Sequence, residues 1–248
     1  MIPAIRRQKL LDLLKDHQLL FLPEIIEAMD SSESTVRRDL KTLAKCGEVE
    51  LLRGGGVQLP KRNTEMNIHV KMQLNKEEKQ RIAATAGALI NPGDIVFLDP
   101  SSVNYLLIDY ITADHVTVVT NSITHMSKLL EKDIPCIMIG GEIKKNTSSC
   151  IGPMAERMLK DLRFCKCFLG ANGITRDAGI TNHDPKEQSI KHLAIRNSAA
   201  TYFLLESAKL GTVAMCKVAD VDAHIVITDT VLAGMEDMDN IIVADKDE

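Results

Sequence analysis

Several features that would assign a chain to a membrane or to the secretory pathway are missing from this sequence. None of its apolar runs approaches the roughly 18 residues that span a bilayer. The stretch MIPAIRRQKLLDLLKD carries charges inside its apolar pattern and has no small-residue cleavage site, unlike a signal peptide. We therefore expect a cytoplasmic protein without a membrane partner.

The spacings typical of metal sites are missing as well. Cys165 and Cys167 lie two residues apart, whereas zinc knuckles and redox pairs use C-x-x-C. The histidines form no H-E-x-x-H pattern and no paired spacing with the cysteines. We expect no metal site and no cofactor, and we expect these two cysteines to be reduced and buried.

A large excess of either charge is also lacking, since the formal net charge is only −4. Residues 1–62 hold 11 basic and 9 acidic residues, and the remaining chain holds 19 and 25. This balance argues against non-specific polyanion binding by the whole chain but leaves room for a small cationic face near its start. Because 45% of the residues are apolar, a sizeable core is expected.

The first 58 residues predict three helices followed by a hairpin. Ile5, Leu10 and Leu14 lie at helical spacing in the first helix, and Pro23 suits the first turn of the second. The third helix is expected from about 33 to 45. Two helices joined by a short turn, the second with cations near its start, are typical of a helix-turn-helix.

The apolar stripe of the third helix determines which of its residues face outward. Val36, Leu40 and Leu43 form the stripe, and Ser32 is expected to cap the helix by accepting a hydrogen bond from a first-turn amide. The polar residues that fall off this stripe, toward solvent or a partner, are Ser34, Thr35, Arg37, Arg38 and Lys41.

A hairpin is predicted for EVELLRGGGVQL, with Arg53 at a glycine-rich tip. A helix-turn-helix followed by such a hairpin is a winged helix, which binds double-stranded DNA. Arg37 and Arg38 could read guanine, while Ser34 and Thr35 could hold phosphates or base edges. The alternative is that the arginines form a solvated helix face, but the preceding turn and the following wing favour DNA.

Residues 4–58 resemble the DeoR-type helix-turn-helix. That family's motif is S-x-x-T-[IV]-R-R-D-L, followed by a glycine and a wing ending R-x-H-G-G-A. The matching residues here are Ser32, Thr35, Val36, Arg37, Arg38, Asp39, Leu40 and Gly47. The wing departs from the pattern, because Leu51, Arg53 and Gly56 stand where the family has Arg, His and Ala.

The rest of the chain predicts a linker over 59–76 and an α/β domain over 77–248. Apolar runs alternate with helical patterns; the runs are IVFLD, VTVVT, CIMIG, CKCFLG, TYFLLE, IVITD and IIVAD. Strands alternating with helices indicate a mostly parallel, helix-covered sheet. The fold class is therefore α/β, with an N-terminal winged helix-turn-helix joined to a larger sheet domain whose strand order is not readable from sequence.

Polar residues follow these strands, so their loops should gather at the carboxyl ends, where open α/β sheets bind ligands. Serines at helix starts offer amides and hydroxyls to a phosphate, and a lysine offers a point charge. Taken singly, each of these residues is more often an ordinary turn or cap. The expected ligand residues are Asp99, Ser101, Ser102, Asn121, Ser122, Gly141, Asn172, Glu206 and Lys209.

The resemblance to the DeoR type continues through this domain. It implies a sensor similar in fold to ribose-5-phosphate isomerases, which binds a phosphorylated sugar or related metabolite. The family commonly has Asp-x-Gly-Ser-Thr at the first loop, where this chain has Asp99, Pro100, Ser101, Ser102 and Val103. Glu206 also replaces the family's Asp, and Ala208 its frequent Ser, so the ligand and its phosphate cradle could differ.

Two classes of function remain from the sequence. A sugar-phosphate isomerase or deaminase could use Asp99, Asp184 or Glu206 as a proton-abstracting carboxylate, with His183 as a ring-opening base. A winged helix has no purpose in a free-standing isomerase, so we favour a repressor of a carbohydrate-utilisation operon. One module of 58 residues would bind DNA with modest affinity, so we expect a homo-oligomer, dimer or tetramer, that assembles through the C-terminal domain on repeated operator half-sites.

Overall fold

The computed structural model describes residues 2–15, 17, 19–52, 55–59 and 67–244. The chain divides into two compact units, here called the N-terminal unit (Met1–Val70) and the C-terminal unit (Lys71–Glu248). Arg53 and residues 60–66 of the predicted linker lie outside the described residues. The domain limits predicted at 58 and 77 therefore stay a prediction.

The N-terminal unit is a small helical bundle with a three-stranded sheet. Its elements are α1 (Pro3–Lys15), β1 (Leu20–Phe21), α2 (Leu22–Met29), α3 (Glu33–Lys45), β2 (Glu50–Leu51) and β3 (Gly56–Gln58). The strands pair antiparallel in the order β1-β3-β2. The predicted third helix, from 33 to 45, is confirmed, as is the hairpin that follows it.

Apolar residues from all three helices and from the strands form the core of the N-terminal unit. Leu10, Ile25 and Leu40 are buried in it. Ile5, which the helical spacing placed on the buried stripe of α1, is instead 53% exposed. Leu10 and Leu14 alone are enough to form the buried face of α1, and the periodicity of the sequence does not show where that face ends.

The C-terminal unit is a larger α/β structure. Its helices are α4 (Ile68–Lys71, at the boundary), α5 (Lys76–Gly87), α6 (Ser102–Leu107), α7 (Ile123–Glu131), α8 (Pro153–Lys160) and α9 (Pro185–Arg196). Its strands are β4 (Ile95–Leu98), β5 (Thr117–Thr120), β6 (Cys136–Met138), β7 (Glu142–Lys144), β8 (Ser149–Ile151), β9 (Phe164–Leu169), β10 (Gly173–Thr175), β11 (Gly179–Asn182), β12 (Ser198–Leu204), β13 (Cys216–Ala219), β14 (Ile225–Thr228) and β15 (Ile241–Val243). No described helix is long and apolar enough to cross a bilayer.

Seven of these strands form one parallel sheet in the order β15-β14-β12-β9-β4-β5-β6. They are the seven apolar runs that the sequence predicts as strands, so the α/β fold class is confirmed. The chain lays β5 and β6 on one side of β4 and then returns to lay β9 on the other. Open α/β sheets bind ligands at such a reversal, at the carboxyl edge, which is the side on which all seven strands end.

The side chains of β4 alternate between two cores, one on each face of the sheet. Phe97 packs with residues of α8 and α9, whereas Val96 and Leu98 pack with residues of α5, α6 and α7. Because both faces are covered, the strands read as continuous apolar runs. Helices on both faces of the sheet have one end at the carboxyl edge.

Some local predictions were wrong. The sequence PKEQSIKHLAIRNSAA predicts a helix from 185 to 200, but α9 ends at Arg196 and Ser198 already begins β12. Cys165 is exposed near the start of β9, whereas Cys167 is buried. The short hairpin β7-β8 and the sheet β10-β11-β13 were not predicted, because strands of three or four residues carry too little periodicity to be read.

Candidate functional site

The outer face of α3 in the N-terminal unit carries the residues predicted to contact DNA. Val36, Leu40 and Leu43 are buried beneath the helix. The exposed residues are Ser32, Ser34, Arg37, Arg38 and Lys41, with Thr35 half-buried. The helix therefore presents hydroxyls at its start and four exposed cations along its length, because Lys45 in its last turn is exposed as well.

Ser32 precedes α3 as predicted, but its side chain does not cap the first turn. Its hydroxyl instead lies 2.9 Å from Thr35 Oγ1 and 3.3 Å from Ser34 Oγ. The carbonyl of Ser32 accepts from the Val36 amide at 3.0 Å, as helix geometry requires. The three hydroxyls form a cluster at the helix start, where free amides also lie.

The two arginines of α3 have different surroundings. Arg37 donates from Nε to Glu33 Oε1 at 2.8 Å and from Nη2 at 2.7 Å, and both side chains are 58% exposed. Arg38 makes no side-chain hydrogen bond or ion pair to any described residue. Its guanidinium is therefore free for a partner, whereas Arg37 must share or leave Glu33.

A buried ion pair fixes α3 on α1. Arg6 Nε donates to Asp39 Oδ2, and the two side chains are only 14% and 6% exposed. Asp39 thus positions the helix from behind and does not face the proposed partner. The acidic residue directly after two arginines is explained by this contact across the core.

The wing begins with β2 and β3, joined by the segment that holds Arg53. The amide of Leu52 donates to Gly56 O at 2.8 Å, and that of Gly55 donates to Leu52 O at 3.2 Å. Arg53 lies outside the described residues, so its predicted contact with DNA stays a prediction.

In the C-terminal unit, the predicted ligand residues follow strands whose carboxyl ends share one edge. They differ in accessibility. Ser101, Gly141, Asn172 and Lys209 are partly exposed. Those that are buried are Asp99, Ser102, Asn121, Ser122 and Glu206.

Asp99 lies at the point where the strand order reverses. Its carboxylate accepts from Asn104 Nδ2 at 2.8 Å, from the Ser101 amide at 3.1 Å and from the Gly170 amide at 2.9 Å. Lys191 Nζ completes the set with an ion pair, and it also donates to Gly170 O at 2.8 Å. Asp99 therefore joins the loops after β4 and β9 and is already saturated with donors.

The loops after β4 and β9 approach each other closely. A Cβ at Gly170 would lie 2.4 Å from Ser101 Cβ, so any side chain there would push the loops apart. Ser101 caps α6 by accepting from the Asn104 amide at 3.2 Å. The strand reversal is thus lined by backbone and small side chains.

Lys191 and Asn104 were missed by sequence reasoning. Lys191 lies in the middle of α9 and Asn104 in α6, where a lysine or an asparagine carries no signal of its own. Both are buried, at 6% and 0% exposure. Only the packing of α9 and α6 against the sheet brings them to Asp99.

The loop after β5 is held by internal hydrogen bonds. Asn121 donates to Cys150 O at 2.8 Å, while its Oδ1 is buried without a partner among the described residues. Ser122 caps α7 by accepting from the His125 amide at 3.3 Å. At Gly141, after β6, a Cβ would lie 2.6 Å from Ile151 O, so this position also requires glycine.

Burial strongly affects the titration of His125, which lies on α7. Its Nε2 contacts Ser101 O at 3.2 Å, and its Nδ1 has no partner among the described residues. Burial lowers the pKa of His125 to about 4, although Asp99 opposes the shift. The ring is therefore neutral at physiological pH.

Glu206 and Lys209 lie after β12 and interact with each other. Lys209 Nζ is 3.8 Å from Glu206 Oε1, and the lysine side chain is 23% exposed. On its inner side the same carboxylate oxygen lies 3.5 Å from Nζ of the buried Lys79 on α5. Glu206 therefore has one cation on the protein side and one nearer to solvent.

Polar groups at the start of α9 complete the edge. Asn172 Oδ1 accepts from the His183 amide at 3.3 Å. Asp184 caps α9 by accepting from the Lys186 amide at 2.7 Å, and it pairs with Lys144 at 3.0 Å. Asp184, one of the three carboxylates that could have served an isomerase as a base, is thus engaged in capping α9.

The two units together define a class of protein: a DNA-binding transcriptional regulator with a winged helix-turn-helix and a separate α/β sensor. Residues 6–62 match the DeoR-like helix-turn-helix domain, and residues 74–230 match the DeoR C terminal sensor domain. The chain belongs to the DeoR family, as the motif in α3 indicates.

Curated relatives are similar over most of their length. The chain is 34% identical over 232 residues to the uncharacterized HTH-type transcriptional regulator FruR of Bacillus subtilis (strain 168), covering 92% of each chain. It is 33% identical over 209 residues to the lactose phosphotransferase system repressor of Lactococcus lactis subsp. lactis, covering 82% of each. The family and these relatives are regulators and not enzymes, which decides against the isomerase or deaminase alternative.

Among solved structures, the chain is similar to ribose 5-phosphate isomerase A from Methanocaldococcus jannaschii. The TM-score is 0.41 at 16% identity, and 56% of each chain is covered.

Proposed function

We propose that this regulator represses a carbohydrate-utilisation operon. A phosphorylated sugar bound at the carboxyl edge controls the affinity of the regulator for double-stranded operator DNA. The similarity to lactose phosphotransferase system repressors supports the operon class. The observation that carries the proposal is the pairing of two features in one chain. One is a helix with exposed arginines, and the other is a sheet reversal lined with buried, prearranged polar groups.

The exposed face of α3 is the proposed DNA contact. Arg38, which has no described side-chain partner, and Arg37 would bind guanine edges or phosphates in the major groove. The hydroxyls of Ser32, Ser34 and Thr35, with Lys41 further along, would hold phosphates and so set the register of the helix. Arg53 of the wing is proposed as an additional phosphate or minor-groove contact.

Operator titrations by fluorescence anisotropy test this interface. Arg38→Ala and Arg37→Ala should each weaken binding to the upstream region of the neighbouring operon by about ten- to a hundredfold, since one bidentate contact contributes roughly 1–3 kcal/mol. Arg163→Ala, which removes an exposed arginine from the C-terminal unit, is the matched control and should bind like the wild type. Full affinity in both α3 variants would refute the assignment.

The carboxyl edge is the proposed effector site. Lys209 is the partly exposed cation proposed to bind a phosphate, and Ser101 and Ser102 at the start of α6 would offer amides and hydroxyls to the same group. Asn172 would bind sugar hydroxyls. Four of the remaining proposed residues support the site from behind, because their side chains are buried; they are Asp99, Asn121, Ser122 and Glu206. Gly141 contributes a close approach of backbone, since a Cβ there would lie 2.6 Å from Ile151 O.

A thermal-shift panel tests the effector site. The probes are fructose 1-phosphate, fructose 6-phosphate, glucose 6-phosphate and glycerol 3-phosphate, with inorganic phosphate for comparison. A ligand at a hundredfold excess over its Kd stabilises the folded state by about 2.7 kcal/mol, which raises the Tm by several degrees. Lys209→Ala should abolish the gain, and Lys217→Ala, at an exposed lysine of the same unit, should retain it. A panel without any shift would overturn the effector assignment.

We propose that the working form is a homo-oligomer, dimer or tetramer, acting in the cytoplasm where operator DNA is found. A single winged helix buries little surface on DNA and binds modestly, so repeated half-sites need linked copies. Light scattering of the purified chain should give twice or four times the mass of one chain. A single-chain mass at the concentrations that bind operator would contradict this.

A further inference from the structure

Lys79 is a lysine that the fold buries completely, with an exposed fraction of 1%. It lies in the first turn of α5, within the C-terminal unit. Burying an ammonium group is costly unless acceptors replace the water that it loses. The groups that accept hydrogen bonds from Lys79 therefore indicate the role of this buried side chain.

Three oxygens surround the Lys79 ammonium group, matching its three N–H donors. Two are backbone carbonyls of the segment that precedes α5: Lys71 O, and Leu74 O at 2.6 Å. The third is Glu206 Oε1 at 3.5 Å, which comes from the loop after β12. One side chain thus joins residues 71–74 to a carboxylate of the proposed effector site.

The segment 71–75 has a conformation that needs support. Asn75, which precedes α5, has a φ of +47°, a value that residues other than glycine adopt infrequently. Its carbonyl accepts from the Lys79 amide at 3.1 Å, so both the backbone and the side chain of Lys79 bind this turn. In sequence, the segment directly follows the N-terminal unit, which ends at Val70.

Glu206 is shared between two cations that differ in their access to a ligand. Lys209, on the outer side, lies 3.8 Å from the same carboxylate oxygen that faces Lys79. A phosphate that attracts Lys209 would leave Glu206 to Lys79 alone. The charges already affect one another, because burial lowers the pKa of Lys79, Glu206 raises it and Lys209 lowers it again.

We propose that Lys79 is a positioning residue that couples occupancy of the effector site, through Glu206, to the conformation of residues 71–75. This coupling rests on the proposed effector function of the carboxyl edge. It describes the first step of signal transmission as a series of contacts. The effector phosphate binds Lys209, which interacts with Glu206. Glu206 in turn pairs with Lys79, and Lys79 binds the segment that follows the DNA-binding unit in sequence.

Thermodynamic linkage provides the first test. Operator affinity of the full chain is measured with and without the panel sugar phosphate that gives the largest thermal shift, and the ratio of the two affinities is the coupling factor. Allosteric coupling factors are typically about 5- to 150-fold. Lys79→Met should bring the factor to within about twofold of one while operator and sugar phosphate still bind.

Lys166→Met is the matched control. Lys166 is also a largely buried lysine paired with a carboxylate, Asp94, but it lies at the opposite edge of the same sheet. This variant should keep the wild-type coupling factor. A folded Lys79→Met protein with wild-type coupling, or an equal loss of coupling in both variants, would overturn the proposal.

Hydrogen exchange tests the coupling even if Lys79→Met does not fold. In the wild-type chain, saturating sugar phosphate should change the exchange rate of peptides covering 71–79 severalfold, while peptides around Lys166 stay unchanged. In the ligand-free chain, Glu206→Gln should accelerate exchange over 71–79. A bound sugar phosphate that leaves 71–79 unchanged would overturn the coupling alone, whereas a panel without any binding would overturn the effector function and the coupling with it.

Discussion

Ion pairs in the two units of this regulator differ in how far they are exposed. On α3 of the N-terminal unit, Arg37 and its partner Glu33 are each 58% exposed. In the C-terminal unit, Lys191 and Asp99 are 8% and 2% exposed. Exposed charges can contact a large polyanion at little desolvation cost, whereas a buried pair fixes the segments that carry it. The pair on α3 is therefore suited to a partner, and the pair at the strand reversal fixes the loops after β4 and β9, as Arg6 and Asp39 fix α1 and α3.

The largest effect should follow from breaking the buried pair. Lys191→Met leaves the Asp99 carboxylate buried without its cation, which should lower the free energy of unfolding of the C-terminal unit by about 3–5 kcal/mol. Asp237→Asn, which removes the partner of the exposed Arg176, should leave the unfolding midpoint unchanged. Urea unfolding followed by circular dichroism measures the stability of both variants. Equal losses of stability would show that the buried and exposed pairs do not differ in this respect.

A pH effect of up to about 3 kcal/mol should come from His125. Its folded-state pKa is lowered from 6.5 to about 4, so between these values the unfolded chain takes up a proton that the folded chain does not. The free energy of unfolding should therefore fall as the pH falls from about 6.5 to about 4.

Comparing the wild type with His125→Gln across this range isolates the contribution of His125 from that of the carboxyl groups. The variant should show a shallower loss of stability than the wild type as the pH is lowered. Parallel curves for the two proteins would show that the burial of His125 does not contribute to the pH dependence.

A smaller effect, about two- to fivefold, should come from releasing Arg37 on the exposed side of the comparison. Glu33→Gln removes the ion pair with Arg37 and one negative charge from the proposed DNA surface, so operator affinity should rise at low salt. Glu131→Gln, at an exposed carboxylate of α7, should leave affinity unchanged. Unchanged or weaker binding by Glu33→Gln would show that the pair does not restrain Arg37.

The N-terminal unit was more predictable than the C-terminal unit for a physical reason. The buried and exposed faces of α3 follow from 3.6-residue periodicity, so Val36, Leu40, Arg37 and Arg38 could be placed from local pattern alone. The cap at Ser32 was predicted wrongly, because neighbouring hydroxyls compete for its side chain and the sequence does not rank them.

In the C-terminal unit, the sequence predicted which loops carry polar groups but not how those groups pair. Asp99 and Glu206 could be identified because each ends an apolar strand. Their partners, Lys191 and Lys79, lie within helices that are 92 and 127 positions away along the chain. No local pattern distinguishes them from the lysines that stay in solvent.

By itself, the sequence determined the winged helix, the seven strands of the sheet and the edge at which polar residues follow those strands, because periodicity and strand ends are local properties. The tertiary structure alone decided the strand order, the reversal between β4 and β9, and the burial of Lys79, Asn104 and Lys191. The strand order, the reversal and this burial depend on which distant segments pack against one another and exclude water, and that packing involves the whole unit.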